Sequence, residues 1–353
     1  MTSFLFEYPP FLSCHGSTIV RNNDGDYVVA WFAGMKEGWS DTAIWWCQSK
    51  DGHWTKPSVA AKVAPVAHWN PVLHLDRDGI RMFFKVGRWV DSWDTWECRL
   101  VDGNWTQPTQ MESVDVNFGR ITPGPVRGKM VTTHRGTLLA PSSVEKYASA
   151  VKSPTNVIWS SVVHRSENGG FSWLTQLIPF PRSSGQLGGI IQPSLWNSAP
   201  GVTSALIRST TGFLWRSETL DDGMTWTEAY KTEIPNPNSA VDIVTIDDQL
   251  MVIAYNPVSG NWTQRTPLTV AFSNLKGEDF HCPVNIEDNP FRSFGYPSII
   301  NIPGGIAMTY TWLRRNIAFV EMKIDYSFSS DLNPFVKVDL AASPVAYNFR
   351  KDV

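Results

Sequence analysis

Apolar and polar residues alternate along most of this chain in short runs, a pattern typical of half-buried β-strands. Turn residues such as Asp24-Gly25-Asp26 and Pro303-Gly304-Gly305 separate the runs. No segment of ten or more residues has a convincing helical period, so the sequence predicts an all-β protein. The clearest strand-like runs cover residues 27–32, 43–48, 81–86, 156–164, 204–208, 249–255, 305–312 and 316–322.

A turn motif repeats between these runs. Residues 166–173 and 219–226 fit the pattern Ser/Thr-x-Asp/Asn-x-Gly-x-Ser/Thr-Trp, and three weaker copies end at Trp54, Trp105 and Phe280. In such a turn the Asp or Asn side chain accepts hydrogen bonds locally, and the glycine takes a positive φ. The terminal aromatic residues are 51, 68, 53 and 54 residues apart, and this step suits one four-stranded propeller blade.

Five units with the motif and a sixth without it, at about residues 294–325, predict a six-bladed β-propeller. The N-terminal segment and the residues after about 325 are expected to close the ring, because an unclosed propeller leaves bare strand edges. The aromatic residues that end the motifs are expected to lie between sheets. No linker or change of composition marks a boundary, so residues 1–353 are predicted to form one domain.

Composition and charge exclude several classes of protein. Hydrophobic residues make up 42% of the chain and charged residues 18%, which is enough apolar material for a large core. The net charge is −3 without a basic run, so the chain lacks the electrostatic footprint of a nucleic-acid partner. No segment approaches the ~20 apolar residues of a membrane span.

The compartment stays open at this point. The N-terminus has neither the basic start nor the apolar stretch of a signal peptide. The four cysteines are scattered without CxxC spacing, which favours free intracellular thiols over a zinc site or a disulfide framework. Two Asn-x-Thr sequons, at Asn104 and Asn261, point instead to a secreted protein whose signal has been removed.

From about residue 13 to residue 325, the order of motifs resembles that of exo-α-sialidases of the Asp-box type, in the sialidase (neuraminidase) superfamily. The resemblance implies a site in which three arginines bind a carboxylate and a Tyr paired with a Glu acts as nucleophile. It also implies that an Asp on a mobile loop is the acid/base, and that neither a metal nor a cofactor takes part.

Two arginines match this pattern. Arg208, in Ala205-Leu206-Ile207-Arg208-Ser209, is similar to the second arginine of the triad. Arg265, in Arg265-Thr266-Pro267-Leu268, is similar to the third. Arginine donates two parallel hydrogen bonds to a carboxylate and stays charged, so the pair predicts a clamp for an acidic sugar.

Two further residues match the catalytic groups of the family. Tyr296, in Phe294-Gly295-Tyr296-Pro297-Ser298, has the place of the nucleophile. Asp41 ends the segment 32–41, which resembles the loop that delivers the acid/base. Asn70, in Asn70-Pro71-Val72-Leu73, lies where sialidases have a similar strand, and it is a candidate contact to the sugar.

The sequence departs from the family at two positions. His15-Gly16-Ser17 stands where the first arginine is expected, and Gln192 stands where the Glu partner of the tyrosine is expected. A neutral amide cannot accept the tyrosine proton as a carboxylate does. Glu145 is therefore the best candidate for the missing carboxylate, and His15 is a further catalytic candidate. The acidic sugar is sialic acid or another one, such as a uronate.

Other polar and aromatic residues near strand ends are candidate sugar contacts, since loops at strand ends often carry function. Asn236, Asn238 and Asp242 fit turn chemistry better than catalysis. The candidate contacts are His68, Trp69, Lys85, Trp93, Arg314 and Arg315.

Three functions fit these residues. The first is a sialidase-like exo-glycosidase that releases a terminal acidic sugar with Tyr296 as nucleophile and Asp41 as acid/base. The second is a polysaccharide lyase that cuts at a uronic acid by β-elimination, for which His15, Gln192 and Tyr296 are suited. The third is a non-catalytic glycan-binding propeller, which the absence of the Glu permits.

Overall fold

The computed structural model describes residues 3–117, 119–153 and 155–340. All regular secondary structure in these residues is β, which confirms the predicted class. The first strands are β1 (Ser3–Phe4), β2 (Ser13–Arg21), β3 (Tyr27–Gly34), β4 (Ala43–Lys50), β5 (His53–Trp54), β6 (Ser58–Ala61), β7 (His68–Asp76), β8 (Gly79–Val86), β9 (Asp94–Val101), β10 (Asn104–Trp105), β11 (Thr109–Gln110), β12 (Val114–Val116), β13 (Gly119–Ile121) and β14 (Val131–Thr132).

The remaining strands include the longest ones. They are β15 (Leu138–Tyr147), β16 (Val157–Ser166), β17 (Leu174–Leu177), β18 (Gly188–Ala199), β19 (Val202–Ser209), β20 (Phe213–Thr219), β21 (Tyr230–Pro235), β22 (Asp242–Ile246), β23 (Leu250–Tyr255), β24 (Leu268–Asn274), β25 (His281–Glu287), β26 (Phe294–Ile302), β27 (Gly305–Trp312), β28 (Asn316–Phe328) and β29 (Pro334–Leu340). Each of the eight strand-like runs in the sequence falls on one of these strands.

Apart from the short ribbon β12–β13, the strands group into six antiparallel units. The units are β2–β6, β7–β11, β14–β17, β18–β21, β22–β25, and β26–β29 together with β1. The third and fourth units share one sheet, because β16 and β18 run parallel for two residue pairs. The N-terminal strand β1 pairs with β28, so the last unit contains strands from both ends of the described chain.

Hydrophobic clusters lie between each unit and the next, and also between the last unit and the first. In the closing cluster, Phe319 of β28 packs with Trp31 of β3 and meets Trp54 edge to face at 5.1 Å. The other clusters combine Val28 with Met82, Phe83 with Leu138, Leu139 with Ile207, Leu206 with Met251, and Val252 with Met308.

The two full copies of the turn motif have the expected hydrogen bonds. In the second copy, Oδ1 of Asp221 accepts from the Thr225 backbone, and Oγ1 of Thr219 accepts from the Gly223 backbone, both at 2.9 Å. A Cβ on Gly223 would lie 2.6 Å from Leu139 of the neighbouring unit, so only glycine fits. Of the terminal aromatic residues, Trp54 and Trp226 are buried, whereas Trp105, Trp173 and Phe280 are half-buried.

One residue near the start of each unit has a left-handed backbone, with φ between 43° and 68°. In β2, β7, β18 and β26 a β-bulge occurs at this residue. A bulge changes the direction in which the neighbouring side chains point. The six residues are Gly16, Asn70, Arg127, Gln192, Asn238 and Tyr296.

The strands that begin these units pack against one another. Strand β2 packs against β7 and β26, and β22 packs against β18 and β26. The buried Arg127 guanidinium donates to the backbone carbonyls of Ser17 and Pro297. Asp242 pairs with Lys129 and also accepts hydrogen bonds from Ser194 and from the backbone of Ile299. Charged side chains therefore join units that are distant in sequence.

Candidate functional site

Tyr296 and two arginines form the centre of the candidate site. The ring of Tyr296 lies 5.7 Å from the Arg208 guanidinium carbon and 5.1 Å from that of Arg265. Nη1 of Arg208 also donates to the Tyr296 hydroxyl at 2.7 Å. The structure thus brings together three residues that are up to 88 positions apart in the chain.

Arg208, on β19, is held in one orientation by several side chains. It is 2% exposed, and its Nε donates to Oδ1 of Asn238 at 2.6 Å. Its guanidinium lies 5.4 Å from the ring centres of both Trp159 and Trp262. Trp262 is 47% exposed, so it presents an aromatic surface to solvent beside the arginine.

The arginines change the acidity of Tyr296. Burial alone would raise the pKa of this phenol, but the positive charges of Arg208 and Arg265 outweigh burial and lower the pKa below its usual value of 10. The cations stabilise the phenolate, which is the form that acts as a nucleophile or base. Burial lowers the pKa of Arg265 to about 10, and it stays protonated at neutral pH.

His15 contacts the tyrosine, but it does not supply a positive charge. The ring centres of His15 and Tyr296 are 4.0 Å apart, and Nδ1 of His15 is hydrogen-bonded to the Thr311 hydroxyl at 2.9 Å. Burial, and then the nearby arginines, of which Arg314 contributes most, lower the pKa of His15 well below 6.5. A neutral imidazole therefore lies against the Tyr296 ring, at the position where the sequence resemblance leads one to expect an arginine.

Gln192 and Glu145 both lie close to Arg208, and Glu145 belongs to β15. Oε1 of Gln192 accepts a hydrogen bond from Nη1 of Arg208 at 3.0 Å, and the Gln192 backbone donates to Ser143 at 2.9 Å. Burial raises the pKa of the Glu145 carboxyl to about 7, although the positive charge of Arg208 acts in the opposite direction. Glu145 is thus a carboxyl group near Arg208 that titrates close to neutral pH.

The loop between β3 and β4 carries two acidic residues with different surroundings. Oδ2 of the exposed Asp41 accepts the Met35 backbone N–H at 2.6 Å and so caps the turn. Glu37 instead pairs with Arg314, on the turn between β27 and β28. The negative charge of Glu37 acts to raise the pKa of both Tyr296 and Arg265. Its carboxylate therefore lies on the side of the loop that faces the site.

Lys85 and Trp93 line a small cavity beside β15, together with Glu145 and His164. The Lys85 ammonium donates to the Thr95 hydroxyl at 2.5 Å and to the Thr122 carbonyl at 3.3 Å. Ser143 also lines this cavity and accepts a hydrogen bond from the Gln192 backbone. The cavity therefore lies next to the site at Tyr296.

The remaining candidates from the sequence have contacts that fit structural roles. Both ring nitrogens of His68 are hydrogen-bonded to the backbone, at Val66 and Val63, and burial lowers its pKa to about 4. Asn70 is buried, and its Oδ1 lies 3.5 Å from the point where a Cβ of Gly16 would stand. Trp69 donates from its indole to the Gly87 carbonyl. Arg315 is exposed, and its backbone N–H donates to the Trp312 carbonyl.

Several residues of the site were not singled out for it from the sequence. Asn238 was assigned to turn chemistry, yet it is hydrogen-bonded to Arg208 and, through its amide nitrogen, to Asn261 at 2.7 Å. Glu37 lies in the same loop as Asp41, but the sequence resemblance does not indicate it. Trp262 is the middle residue of the sequon at Asn261, and the sequon gives no sign that its ring lies beside Arg208. Asp242 is buried and tied to three units, which agrees with a structural role.

Among the described residues, no group of three His, Cys, Asp or Glu side chains is arranged to hold a metal ion. The described residues also contain no helix that is long and apolar enough to span a membrane.

Comparison with known proteins places this chain in a family. The family model described as a BNR repeat-like domain matches residues 25–308. The chain belongs to this BNR repeat-like family. The predicted membership of the BNR repeat family is thereby confirmed. None of the curated proteins compared with this BNR-repeat chain matches it.

Solved structures share the fold of this BNR-repeat protein. A protein of unknown function from Dyadobacter fermentans superposes with a TM-score of 0.71 at 16% identity, covering 92% of this chain and 98% of its own. A Hadza microbial sialidase has a TM-score of 0.70 at 15% identity, with 92% and 68% covered. Trypanosoma rangeli sialidase, in complex with the inhibitor DANA, has 0.67 at 15% identity, with 88% and 55% covered.

Proposed function

We propose that this protein is a sialidase-like exo-glycosidase that releases a terminal acidic sugar from a glycan. The observation that carries the proposal is the position of Arg208 and Arg265 over the ring of Tyr296, with the Tyr296 hydroxyl bonded to Arg208. Two guanidinium groups near the same ring repel each other, and a bridging carboxylate relieves the repulsion. A sugar acid bound there has its anomeric centre near the phenol.

We further propose that the six antiparallel units are the blades of one β-propeller. The closing cluster of Phe319, Trp31 and Trp54 supports a closed ring of units. The left-handed residue that recurs near the start of each unit also supports it, because equivalent positions in a propeller face its axis. Gln192, Asn238 and Tyr296 belong to this set, which explains why residues so distant in sequence contact Arg208.

In the proposed reaction the Tyr296 oxygen attacks the anomeric carbon while the leaving glycosidic oxygen takes a proton from an acid. Arg208 and Arg265 make the phenolate accessible without a carboxylate partner, so Gln192 is compatible with this role. We assign the acid to Glu37, because Asp41 already caps its own turn. Water then hydrolyses the aryl glycoside at the same carbon and gives its proton to the Glu37 carboxylate.

Elimination is the second candidate, favoured by Gln192 in place of a glutamate. In that reaction the Tyr296 phenolate removes the proton next to a uronate carboxylate, and the arginines stabilise the resulting negative charge. The protonated Tyr296 then gives this proton to the glycosidic oxygen as its bond to carbon breaks. No water is consumed. The product contains a carbon–carbon double bond and absorbs in the near ultraviolet.

The test is incubation with defined oligosaccharides that end in sialic acid, end in a uronate, or carry a uronate within the chain, with the products weighed by mass spectrometry. A summed product mass one water above the substrate supports the glycosidase. A summed product mass equal to that of the substrate, together with new ultraviolet absorbance, supports the lyase instead of the glycosidase. Binding of acidic glycans without turnover of any of them would leave a lectin-like propeller and overturn both.

A further inference from the structure

A cavity of about 60 Å³ adjoins the proposed sugar site. Its walls come from β8, the loop after β8, β13 and the outer half of β15. Ser143 lines it and accepts the hydrogen bond from the Gln192 backbone, and Gln192 in turn contacts Arg208. The cavity is therefore connected to Arg208 through side-chain and backbone hydrogen bonds of β15, β18 and β19.

Lys85 places a buried positive charge in the wall. The residue is 3% exposed, and its ammonium has two hydrogen-bond acceptors from the protein, Thr95 and Thr122. An ammonium group has three donors, so it can serve one more acceptor. Burial lowers the pKa of Lys85 to about 7, with Asp94 opposing the change only in part. An anion in the cavity would stabilise the charged form.

The remaining charges of the cavity leave it positive. Arg120 and Lys146 also line it. Of the two acidic residues, Asp91 is already bound through both oxygens by Lys152, at 2.8 and 2.9 Å. The other, Glu145, has a pKa of about 7, so its carboxyl is partly protonated at neutral pH and carries less than a full negative charge.

The size of the cavity restricts what it can hold. A volume of about 60 Å³ exceeds the ~10–15 Å³ that a single water needs in this measure, so the cavity has room for a small group. A carboxylate or a sulfate is of the right order. Trp93 contributes an aromatic wall against which the carbon atoms of a sugar can pack.

We propose that this cavity binds an anionic substituent, a carboxylate or a sulfate ester, on the sugar next to the one held by Arg208 and Arg265. The natural substrates are then glycans with acidic groups on neighbouring sugars. This inference rests on the proposed function, because the clamp determines which sugar lies beside the cavity.

Equilibrium dialysis with radiolabelled sulfate tests the site without any glycan. The wild-type protein is expected to bind two sulfate ions, one at the clamp and one in the cavity. Lys85→Met and Arg120→Ala should each weaken one site by about ten- to a hundredfold, since one charge-assisted contact is lost. Arg208→Ala should weaken only the other, and the exposed Lys323→Met should change neither.

The outcomes separate the two proposals. One sulfate that responds to Arg208→Ala alone overturns the cavity site and leaves the clamp. One sulfate that responds to Lys85→Met and Arg120→Ala alone supports the cavity and counts against the clamp. Failure to bind sulfate anywhere overturns both. Arg120 is exposed, so its variant still gives the result if Lys85→Met does not fold.

Turnover supplies a second readout. Two acidic disaccharides that differ only in a sulfate on the second sugar should differ in kcat/KM by roughly ten- to a hundredfold in favour of the sulfated one. In Arg120→Ala this ratio should fall towards one. An unchanged ratio in Arg120→Ala and in Lys85→Met would refute the assignment even if the enzyme is active.

Discussion

Nη1 of Arg208 donates both to the Tyr296 hydroxyl, at 2.7 Å, and to Oε1 of Gln192, at 3.0 Å. The hydroxyl oxygen is therefore an acceptor towards a cation, and its own proton points elsewhere. Gln192 meets the same nitrogen with a neutral carbonyl, so it orients the arginine without neutralising it. The arrangement stabilises the phenolate by charge rather than by proton transfer to a glutamate.

Tyr296→Phe removes one oxygen and should leave the fold intact. If the phenol attacks the sugar or removes its proton, turnover should fall by at least about a hundredfold. Product release and the thermal unfolding midpoint of each variant are the measurements. Tyr326→Phe, which changes a hydroxyl near Asp247 on the surface, is the matched control. Turnover near the wild-type level in folded Tyr296→Phe contradicts the role.

Arg265→Ala should weaken the binding of a terminal acidic sugar by roughly ten- to a hundredfold, because a charge-assisted contact to the carboxylate is lost. Arg265→Lys should recover only part of the affinity, since the two parallel donors are not restored. Calorimetric titration with the acid and with its neutral amide measures both effects. An equal loss for the amide would mean that Arg265 supports the site rather than the carboxylate.

Glu37→Gln and Asp41→Asn distinguish two carboxylates of one loop. If Glu37 protonates the leaving oxygen, Glu37→Gln should lower kcat about 10²- to 10⁴-fold for a sugar leaving group. The loss should be much smaller for an activated nitrophenyl leaving group, which needs no proton. Asp41→Asn keeps an acceptor for the Met35 N–H and should have the milder effect. The opposite order of the two variants would return the acid role to Asp41.

Glu145 makes the stability of the protein depend on pH. Its pKa is about 7 in the folded protein against 4.5 for the exposed group, so the folded state binds more protons between these values. Stability should therefore fall as the pH rises from 4.5 to 7, by up to roughly 3 kcal/mol. Urea unfolding at several pH values should show a flatter dependence for Glu145→Gln. Parallel profiles for the two proteins would contradict the raised pKa.

The sequence predicted the strands well because their signal is local. Residues 27–32, for example, lie within β3, since alternating apolar residues and bounding turns do not depend on the rest of the fold. The motif spacing located the units in the same way, whereas the parallel pairing of β16 with β18 was not foreseen. That contact depends on where two separate units meet.

The site could be predicted only where a motif carried it. Arg208, Arg265 and Tyr296 stand in segments similar to known ones, and the structure brings them together. Glu37 lies in the segment 32–41 that resembles a known loop, but there the resemblance indicates Asp41, and Trp262 lies in no such segment. Their places beside the arginines depend on how these two loops fold. Asn238 was misassigned to turn chemistry for the opposite reason: it does have the left-handed backbone of a turn residue, but its side chain reaches Arg208.

The ties made by Arg127, and by Lys129 with Asp242, have a consequence for how the protein unfolds. They place buried, hydrogen-bonded charge where Ser17, Pro297 and Ile299 come together. A buried charge that loses its partner is strongly destabilising. The joined units are therefore expected to unfold together rather than one after another.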